Sequence, residues 1–285
     1  MTDTVASRPR RPAGARYQPV QGRSRLVWAC LDAMVLARRS ILQTLRIPSL
    51  IVFVAIQPIM FVLLFRYVFG GAIQVPGGQY VNYLMPGIFV QTVAFGSITT
   101  GIGLAEDMER GLIDRFRSLP MSSSAVLTGR TIADLARNLF TVLIMLAVGF
   151  AVGFRPQGSL IEFLFGLLLL MGFSFAFSWI AAVVGISVGS VEAAQSGGFI
   201  WLFPLTFASS AFVPVSTMPV WLQGFAQHNP VSVLSNSLRG LFHVDPSLTA
   251  ADTRSAIIQS AAWIVGILLV FAPLAVARYR RTTRG

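Results

Sequence analysis

The chain has 285 residues, of which 54% are hydrophobic and 12% are charged, and its mean hydropathy is +0.70. Soluble domains carry about 25% charged residues, so this composition predicts an integral membrane protein and excludes an ordinary soluble domain. All 22 basic residues are arginine. Without lysine the chain cannot form a lysine-dependent phosphate-binding loop, so any nucleotide chemistry requires a separate protein.

Cysteine, histidine and net charge limit the function further. A single cysteine, Cys30, excludes an intrachain disulfide. His228 and His243 are far apart in sequence and lack carboxylate or thiol neighbours, so no metal site is predicted. No serine, histidine and carboxylate combination suggests a catalytic centre. The net charge of +11 does not predict a nucleic-acid partner, because the arginines cluster beside apolar runs, as membrane topology requires.

The N-terminal region precedes the first long apolar run. Residues 1–24 are polar and rich in arginine and proline, which predicts a disordered basic cytoplasmic tail. Residues 25–46 place apolar side chains opposite polar ones at helical spacing, which predicts an amphipathic interfacial helix on the lipid bilayer. The apolar run starts only near Leu50, so no cleaved signal peptide is expected.

Six apolar runs follow, each about as long as the roughly 20 residues that a helix needs to cross a bilayer. Most arginines fall before the first run, between the second and third, and after the sixth. With six spans these clusters share one side, so a multi-pass protein of the cell inner (plasma) membrane with both termini cytoplasmic is predicted. The runs are 49–69, 83–104, 135–154, 161–188, 197–215 and 256–277, within a transmembrane domain of 49–277 that precedes a basic cytoplasmic tail at 278–285.

The densest charged segment is LAEDMERGLIDRFRSLPM, residues 104–121, between the second and third runs. Its apolar residues recur at helical spacing and its charged residues occupy the other faces, which predicts a short amphipathic helix. Pro120 would end this helix. Because it connects two spans on the arginine-rich side, the helix is expected to present its charges to a partner in the cytoplasm.

A second unusual segment, residues 216–255, is too polar to cross the bilayer and too apolar for a simple solvated loop. Two short apolar faces are separated by Asn229 and Pro230, which break the chain. This pattern predicts an extracellular re-entrant helical hairpin that dips into the outer leaflet.

Two of the runs carry aromatic and mildly polar stripes that would suit a large amphipathic or lipid-like molecule. Ionisable residues are almost absent from the spans, which argues against a proton-coupled carrier. Gly185 and Gly189 form a small-xxx-small pair that favours close helix contact. The candidate pathway residues are Gln91, Phe95 and Thr99 in the second run and Phe199, Phe203, Thr206, Phe207 and Ser210 in the fifth.

Two motifs carry a resemblance to a known family. The segments EDMERGLIDRFRSLPMSSSAVLTGR, residues 106–130, and HNPVSVLSNSLRGL, residues 228–241, occur in the order of six spans seen in ABC-2 type permeases. The chain most closely resembles the daunorubicin-resistance (DrrB-like) branch of drug exporters. The family often has threonine where this chain has Leu112.

The resemblance implies an ABC-2, or type V, exporter fold and a cytosolic ABC ATPase dimer that carries ATP and Mg, with no cofactor on this chain. A second permease copy or a sister permease would complete the complex, and the charged helix would rest in a groove of the ATPase. The implied ATPase-coupling residues are Glu106, Asp107, Glu109, Arg110, Asp114, Arg115, Phe116 and Arg117. The second and fifth spans would line the path, and the implied outer gate comprises Trp221, Phe225, Asn229, Pro230 and Arg239.

The predicted function is the permease subunit of an ATP-driven exporter of hydrophobic or amphipathic drugs or lipids, without an ATPase site of its own. Export of polysaccharide or glycolipid by the same type of permease is an alternative. A secondary carrier would be expected to show coupling carboxylates or inverted repeats. A membrane scaffold would leave the charged helix without a partner.

Overall fold

A computed structural model describes residues 48–71, 73, 79–110 and 123–282 of the chain. The regular structure in these ranges is helical, which confirms the predicted all-α class. The predicted tail at 1–24, the interfacial helix at 25–46 and residues 111–122 lie outside the described residues. The helices are α1 (Pro48–Leu63, continued by a π-helical turn at Leu64–Phe69), α2 (Tyr80–Glu109), α3 (Ser123–Ala151), α4 (Leu160–Ser187), α5 (Val191–Phe207), α6 (Val220–His228), α7 (Pro230–Leu241) and α8 (Ala250–Thr282).

Four of these helices are long and apolar enough to cross a membrane, namely α2, α4, α8 and the part of α3 from Arg130 onward. They coincide with the second, third, fourth and sixth predicted spans. The first and fifth predicted spans coincide with shorter apolar helices, α1 and the 17-residue α5. The chain is therefore a multi-pass membrane protein built from helices.

Short polar residues fix where several helices begin. Ser159 caps α4 with a reciprocal pair of bonds, in which its hydroxyl accepts from the Glu162 amide and the Glu162 carboxylate accepts from the Ser159 amide. The side-chain oxygen of Asn229 accepts from the Val231 amide at 2.9 Å, and Pro230 takes the first position of α7. The predicted break between two short helices at Asn229 and Pro230 is thereby confirmed.

The central helix is α2, which is mostly buried and packs against α4, α5, α3 and α7. The backbones of α2 and α4 meet at Gly101 and Gly185. A methyl group added to Gly185 would lie only 2.2 Å from the carbonyl oxygen of Gly101. Helices approach this closely only where side chains are absent. Gly189 lies beyond the end of α4, and a methyl group there would meet nothing within 4 Å. The predicted close contact is confirmed for Gly185 and is wrong for Gly189.

The bounds of two predicted elements differ from the structure at the helix ends. No proline or glycine follows Gly103 in α2 before residue 111, so α2 continues through Glu109 and includes the first turns of the helix predicted at 104–121. At the other end of the chain α8 extends to Thr282, so the predicted tail at 278–285 begins as helix.

The fifth predicted span, residues 197–215, has the wrong bounds. Its helix starts earlier because the Ser190 hydroxyl accepts from the Ala193 amide at 3.1 Å and caps α5. The helix ends at Phe207, and the Ala208 amide donates the last helical hydrogen bond to the carbonyl of Pro204 at 2.9 Å. Residues 208–214 then form an irregular segment, called here the clamp loop.

Candidate functional site: a cavity and the two ends of the central helix

A cavity of about 300 Å³ lies among α1, α2, α3 and α5. Aromatic rings form part of its wall and uncharged polar side chains form another part, so the cavity is amphipathic. None of the described residues that line it carries a formal charge. The lining residues are Gln57, Pro58, Phe61, Gln91, Thr92, Phe95, Gly96, Ile98, Thr99, Ile102, Asn138, Thr141, Gln195 and Phe199.

The cavity brings together four of the predicted pathway residues, Gln91, Phe95, Thr99 and Phe199. Phe203 lies beside them, with its ring edge-on to that of Phe95 at 5.4 Å between centroids. Residues from two helices that are distant in sequence therefore form one surface, as the resemblance implies for the second and fifth spans. Their role in transport stays a prediction.

The other three predicted pathway residues lie outside the cavity. Phe207 stacks on Phe203 at 5.4 Å between centroids. Thr206 is fully buried, and its hydroxyl has no hydrogen-bond partner among the described residues. Ser210 belongs to the clamp loop, where it takes part in the contacts of Arg239.

An aromatic row extends from the cavity toward the clamp loop. The ring of Phe61, which lines the cavity, stacks on Phe65 at 6.0 Å, and Phe65 stacks on Phe212 at 4.6 Å. Phe212 in turn stacks on Phe207 at 5.4 Å. The two α1 rings are not among the residues predicted from the sequence, although their four-residue spacing places them on one helix face.

Polar contacts join the cavity wall to α3. Asp134 accepts a hydrogen bond from the Thr100 hydroxyl at 2.5 Å. Arg137 donates to Asp134 at 2.6 Å and also to the hydroxyl of Thr99, which lines the cavity. This group is not predictable from the sequence pattern, because its partners lie on different helices.

A further ion pair lies nearer the end of α2. Arg130 of α3 donates to the Asp107 carboxylate, and both side chains are about two-thirds or more shielded from solvent. The pairs Asp107 with Arg130, Thr100 with Asp134 and Thr99 with Arg137 are called here the α2–α3 ladder. It connects the cavity wall with the charged end of α2.

The predicted coupling residues divide into described and undescribed ones. Glu106 and Arg110 form an exposed ion pair at 2.5 Å. The carboxylate of Glu109 accepts a hydrogen bond from the Val191 amide at 3.0 Å, at the start of α5, where a negative charge is favourable. The predicted coupling residues at 114–117 lie outside the described residues.

Arg239 of α7 lies against the opposite end of α2, where its side chain is fully buried, with 0% exposure. Its Nε donates to the carbonyl of Tyr83 at 3.0 Å, its Nη2 to the carbonyls of Ser210 and Ala211 at 2.7 and 3.3 Å, and its Nη1 to Asn236 Oδ1 at 2.8 Å. The guanidinium carbon also lies 3.5 Å from the centroid of the Tyr83 ring. Burial lowers the pKa of Arg239, and the facing Tyr83 opposes this shift.

These contacts explain how irregular backbone is tolerated inside an apolar protein. The hydroxyls of Tyr83 and Tyr80 donate to the carbonyls of Ser210 and Phe212 at 3.0 and 2.9 Å. Together with Arg239 they supply donors to consecutive carbonyls of the clamp loop that no helix satisfies.

The predicted gate residues fall into two groups. Asn229 donates to the carbonyl of Leu205 at 2.6 Å, so it braces the end of α5, as Arg239 braces the clamp loop. Trp221 is 80% exposed and Phe225 is also exposed, both on α6. The residues predicted as one outer gate therefore fall into a buried group that braces irregular backbone and an exposed aromatic pair on α6.

An amphipathic cavity inside a bundle of apolar helices, with ion pairs at one end of the central helix, fits a membrane transport protein. Among the described residues no group of three or more histidine, cysteine, aspartate or glutamate side chains could hold a metal ion.

Comparison with known proteins identifies the family. The model of the family "ABC-2 type transporter" matches residues 32–243, and the chain belongs to this family as a permease subunit. It is 33% identical to the daunorubicin resistance ABC transporter permease protein DrrB1 of Streptomyces coeruleorubidus, over 82% of this chain and 80% of the relative. It is 28% identical to the probable doxorubicin resistance ABC transporter permease protein DrrC of Mycobacterium tuberculosis, over 80% of each. Family membership implies an ABC ATPase as partner.

Proposed function

We propose that this chain is the membrane subunit of an ATP-binding cassette exporter that moves hydrophobic or amphipathic drugs or lipids out of the cell. The names of the two relatives, which refer to daunorubicin and doxorubicin resistance, support the drug class. The observation that carries the proposal is the α2–α3 ladder, because it joins an amphipathic cavity to the charged end of α2.

In this proposal the ladder transmits motion between two sites. The segment that begins at Glu106 rests on a cytosolic ATPase dimer, which binds ATP and Mg, while this chain binds no cofactor. Closure of the ATPases displaces the ends of α2 and α3 together, because Asp107 and Arg130 hold them to each other. The same movement reaches Thr99 in the cavity wall through Arg137.

The proposed topology has six spans in the cell inner membrane, with both termini cytoplasmic. Helices α1 and α5 are the shorter spans, and α6 and α7 form an extracellular re-entrant hairpin. Exposed Trp221 and Phe225 on α6 supply the aromatic surface of an outer gate. A second permease copy or a sister permease completes the complex.

The cavity also favours one class of substrate within the family. Its volume of about 300 Å³ and its phenylalanine wall suit a compact amphipathic molecule better than a polysaccharide chain. A proton-coupled carrier would require ionisable groups at the site, and no described lining residue is ionisable.

The ladder can be tested by exchanging its charges. Asp107→Ala and Arg130→Ala each leave a partly shielded charge without its partner, and we expect permease-stimulated ATPase activity and drug export to fall together. The double exchange of Asp107→Arg with Arg130→Asp should restore much of both activities. Assays use permease and ATPase reconstituted in vesicles at matched insertion.

Arg254→Ala is the matched control, because Arg254 is an exposed arginine at the start of α8. It should leave both activities at the wild-type level. If the single variants stay fully coupled, the ladder does not transmit motion and the proposed mechanism is rejected.

A further inference from the structure

The carboxylate of Glu109, the last residue of α2, bonds to another helix of the bundle. Its Oε1 accepts a hydrogen bond from the Val191 amide at 3.0 Å. Val191 is the first residue of α5, so its amide is one of those that no helical carbonyl can satisfy. The Ser190 hydroxyl caps α5 by accepting from the Ala193 amide, which leaves the Val191 amide to Glu109. A charge-assisted hydrogen bond therefore links the end of α2 to the start of α5.

Helix α5 carries one side of the cavity. Gln195 and Phe199 line the cavity and follow Val191 by four and eight residues, so all three lie on one face of α5. At about 1.5 Å per residue, Phe199 is roughly 12 Å from the bonded amide. The α2–α3 ladder contains no residue of α5, so it does not reach this side of the cavity directly.

The other contacts of α5 hold its middle and its far end. Near the far end, the side-chain amide of Asn229 donates to the carbonyl of Leu205 at 2.6 Å. In the middle, Gly198 lies against α2, because a methyl group there would be only 2.9 Å from the side chain of Ile98. A displacement at the start of α5 therefore tilts this helix against α2 and shifts the side of the cavity that α5 carries.

We propose that Glu109 is a positioning residue that transmits the motion of the ATPases to α5 through the Val191 amide, and that it does not act by contacting the ATPase. This inference rests on the proposed function, in which ATPase closure moves the end of α2. The ladder moves the α3 side of the cavity, and Glu109 moves the α5 side. Loss of the Glu109 bond leaves the ATPase contact in place, so ATP hydrolysis continues while export falls. The ladder variants differ, because in them both activities fall together.

Two variants remove the same bond from opposite ends. Glu109→Ala removes the acceptor. Val191→Pro removes the donor, and proline is tolerated there because Val191 is the first helical residue and Ser190 before it is extended, at φ −149° and ψ 160°. In vesicles that contain permease and ATPase, each variant should lower drug export several-fold, up to about tenfold, while permease-stimulated ATPase activity stays within about twofold of wild type. The double variant should export no worse than either single one.

Two further variants separate the bond from the charge. Glu109→Gln keeps an acceptor oxygen at the same reach and should retain most of the export activity. Glu192→Ala removes an exposed carboxylate in the first turn of α5 that bonds to no residue in the described ranges, so both activities should match wild type. Hydrogen exchange reports the bond itself, and the amides at the start of α5 should exchange faster in Glu109→Ala but not in Glu109→Gln.

Three results overturn the inference while leaving the proposed function intact. These are wild-type export in Glu109→Ala or Val191→Pro, additive losses in the double variant, and an equal loss of ATPase stimulation in Glu109→Ala and Glu109→Gln. The last result would mean that the charge of Glu109 contacts the ATPase. Absence of any ATP-driven drug accumulation by the wild-type complex in inside-out vesicles rejects the proposed function itself.

Discussion

Replacing Arg239 with methionine should destabilise the protein by about 3 kcal/mol. The three shortest of its hydrogen bonds, to Ser210, Asn236 and Tyr83, measure 2.7, 2.8 and 3.0 Å. Hydrogen bonds to charged groups contribute at least about 1.5 kcal/mol each, so their loss costs roughly 4–5 kcal/mol. Methionine keeps an apolar stem and regains about 1.5 kcal/mol through burial, which leaves the stated difference.

Thermal unfolding in detergent or nanodiscs measures this effect. At about 2–4 °C per kcal/mol for a chain of this size, the Tm of the Arg239→Met variant should fall by roughly 6–12 °C. Arg239→Lys keeps a positive charge but loses the planar guanidinium group, so its Tm should lie between those of the wild type and Arg239→Met. The exposed Arg254→Met serves as control and should melt with the wild type. A shift below about 2 °C in Arg239→Met refutes the reasoning about the clamp loop.

Two other predictions concern the glycine contact and the aromatic wall. Gly185→Ala should lower the Tm by several degrees, because its methyl group would meet the Gly101 carbonyl at 2.2 Å. Gly189→Ala is the control and should leave the Tm unchanged. Equal Tm values for the two variants would contradict the close packing of α2 and α4. Phe203→Ala should reduce ATP-driven drug export by up to about tenfold, because it removes a ring packed on Phe95. The control is Phe165→Ala on α4, where the native ring is similarly exposed, and it should leave export unchanged. Unchanged export kinetics in Phe203→Ala would exclude this ring from the substrate path.

Hydropathy and helical period predicted the existence of the long helices well. The runs that become α2, α4 and α8 are apolar over enough residues that few alternatives to a helix exist in a membrane. The aromatic and polar residues of α2 and α5 that line the cavity are recognisable as stripes within each helix, whereas their placement along one path was implied only by the resemblance to ABC-2 permeases. In these cases the information lies within one segment of sequence.

The end of α5 and the ladder could not be predicted in the same way. The clamp loop is stabilised by Arg239, which lies 29 residues beyond Ser210 in sequence, and by tyrosines of α2. The ladder likewise depends on how α3 is rotated and shifted against α2. Hydropathy indicates that Arg239 is costly to bury, but it does not predict which carbonyl groups surround the guanidinium.

The backbone contact between Gly101 and Gly185 is a point about which α2 can tilt. At about 1.5 Å per residue, Glu109 lies roughly 12 Å from this point in one direction and Tyr83 roughly 27 Å in the other. Any tilt of α2 about the contact therefore swings the Tyr83 end in the opposite sense and about twice as far as the Glu109 end. A small push beneath the ion pairs is thus amplified at the far side of the bundle, where Tyr83 is bonded to the clamp loop.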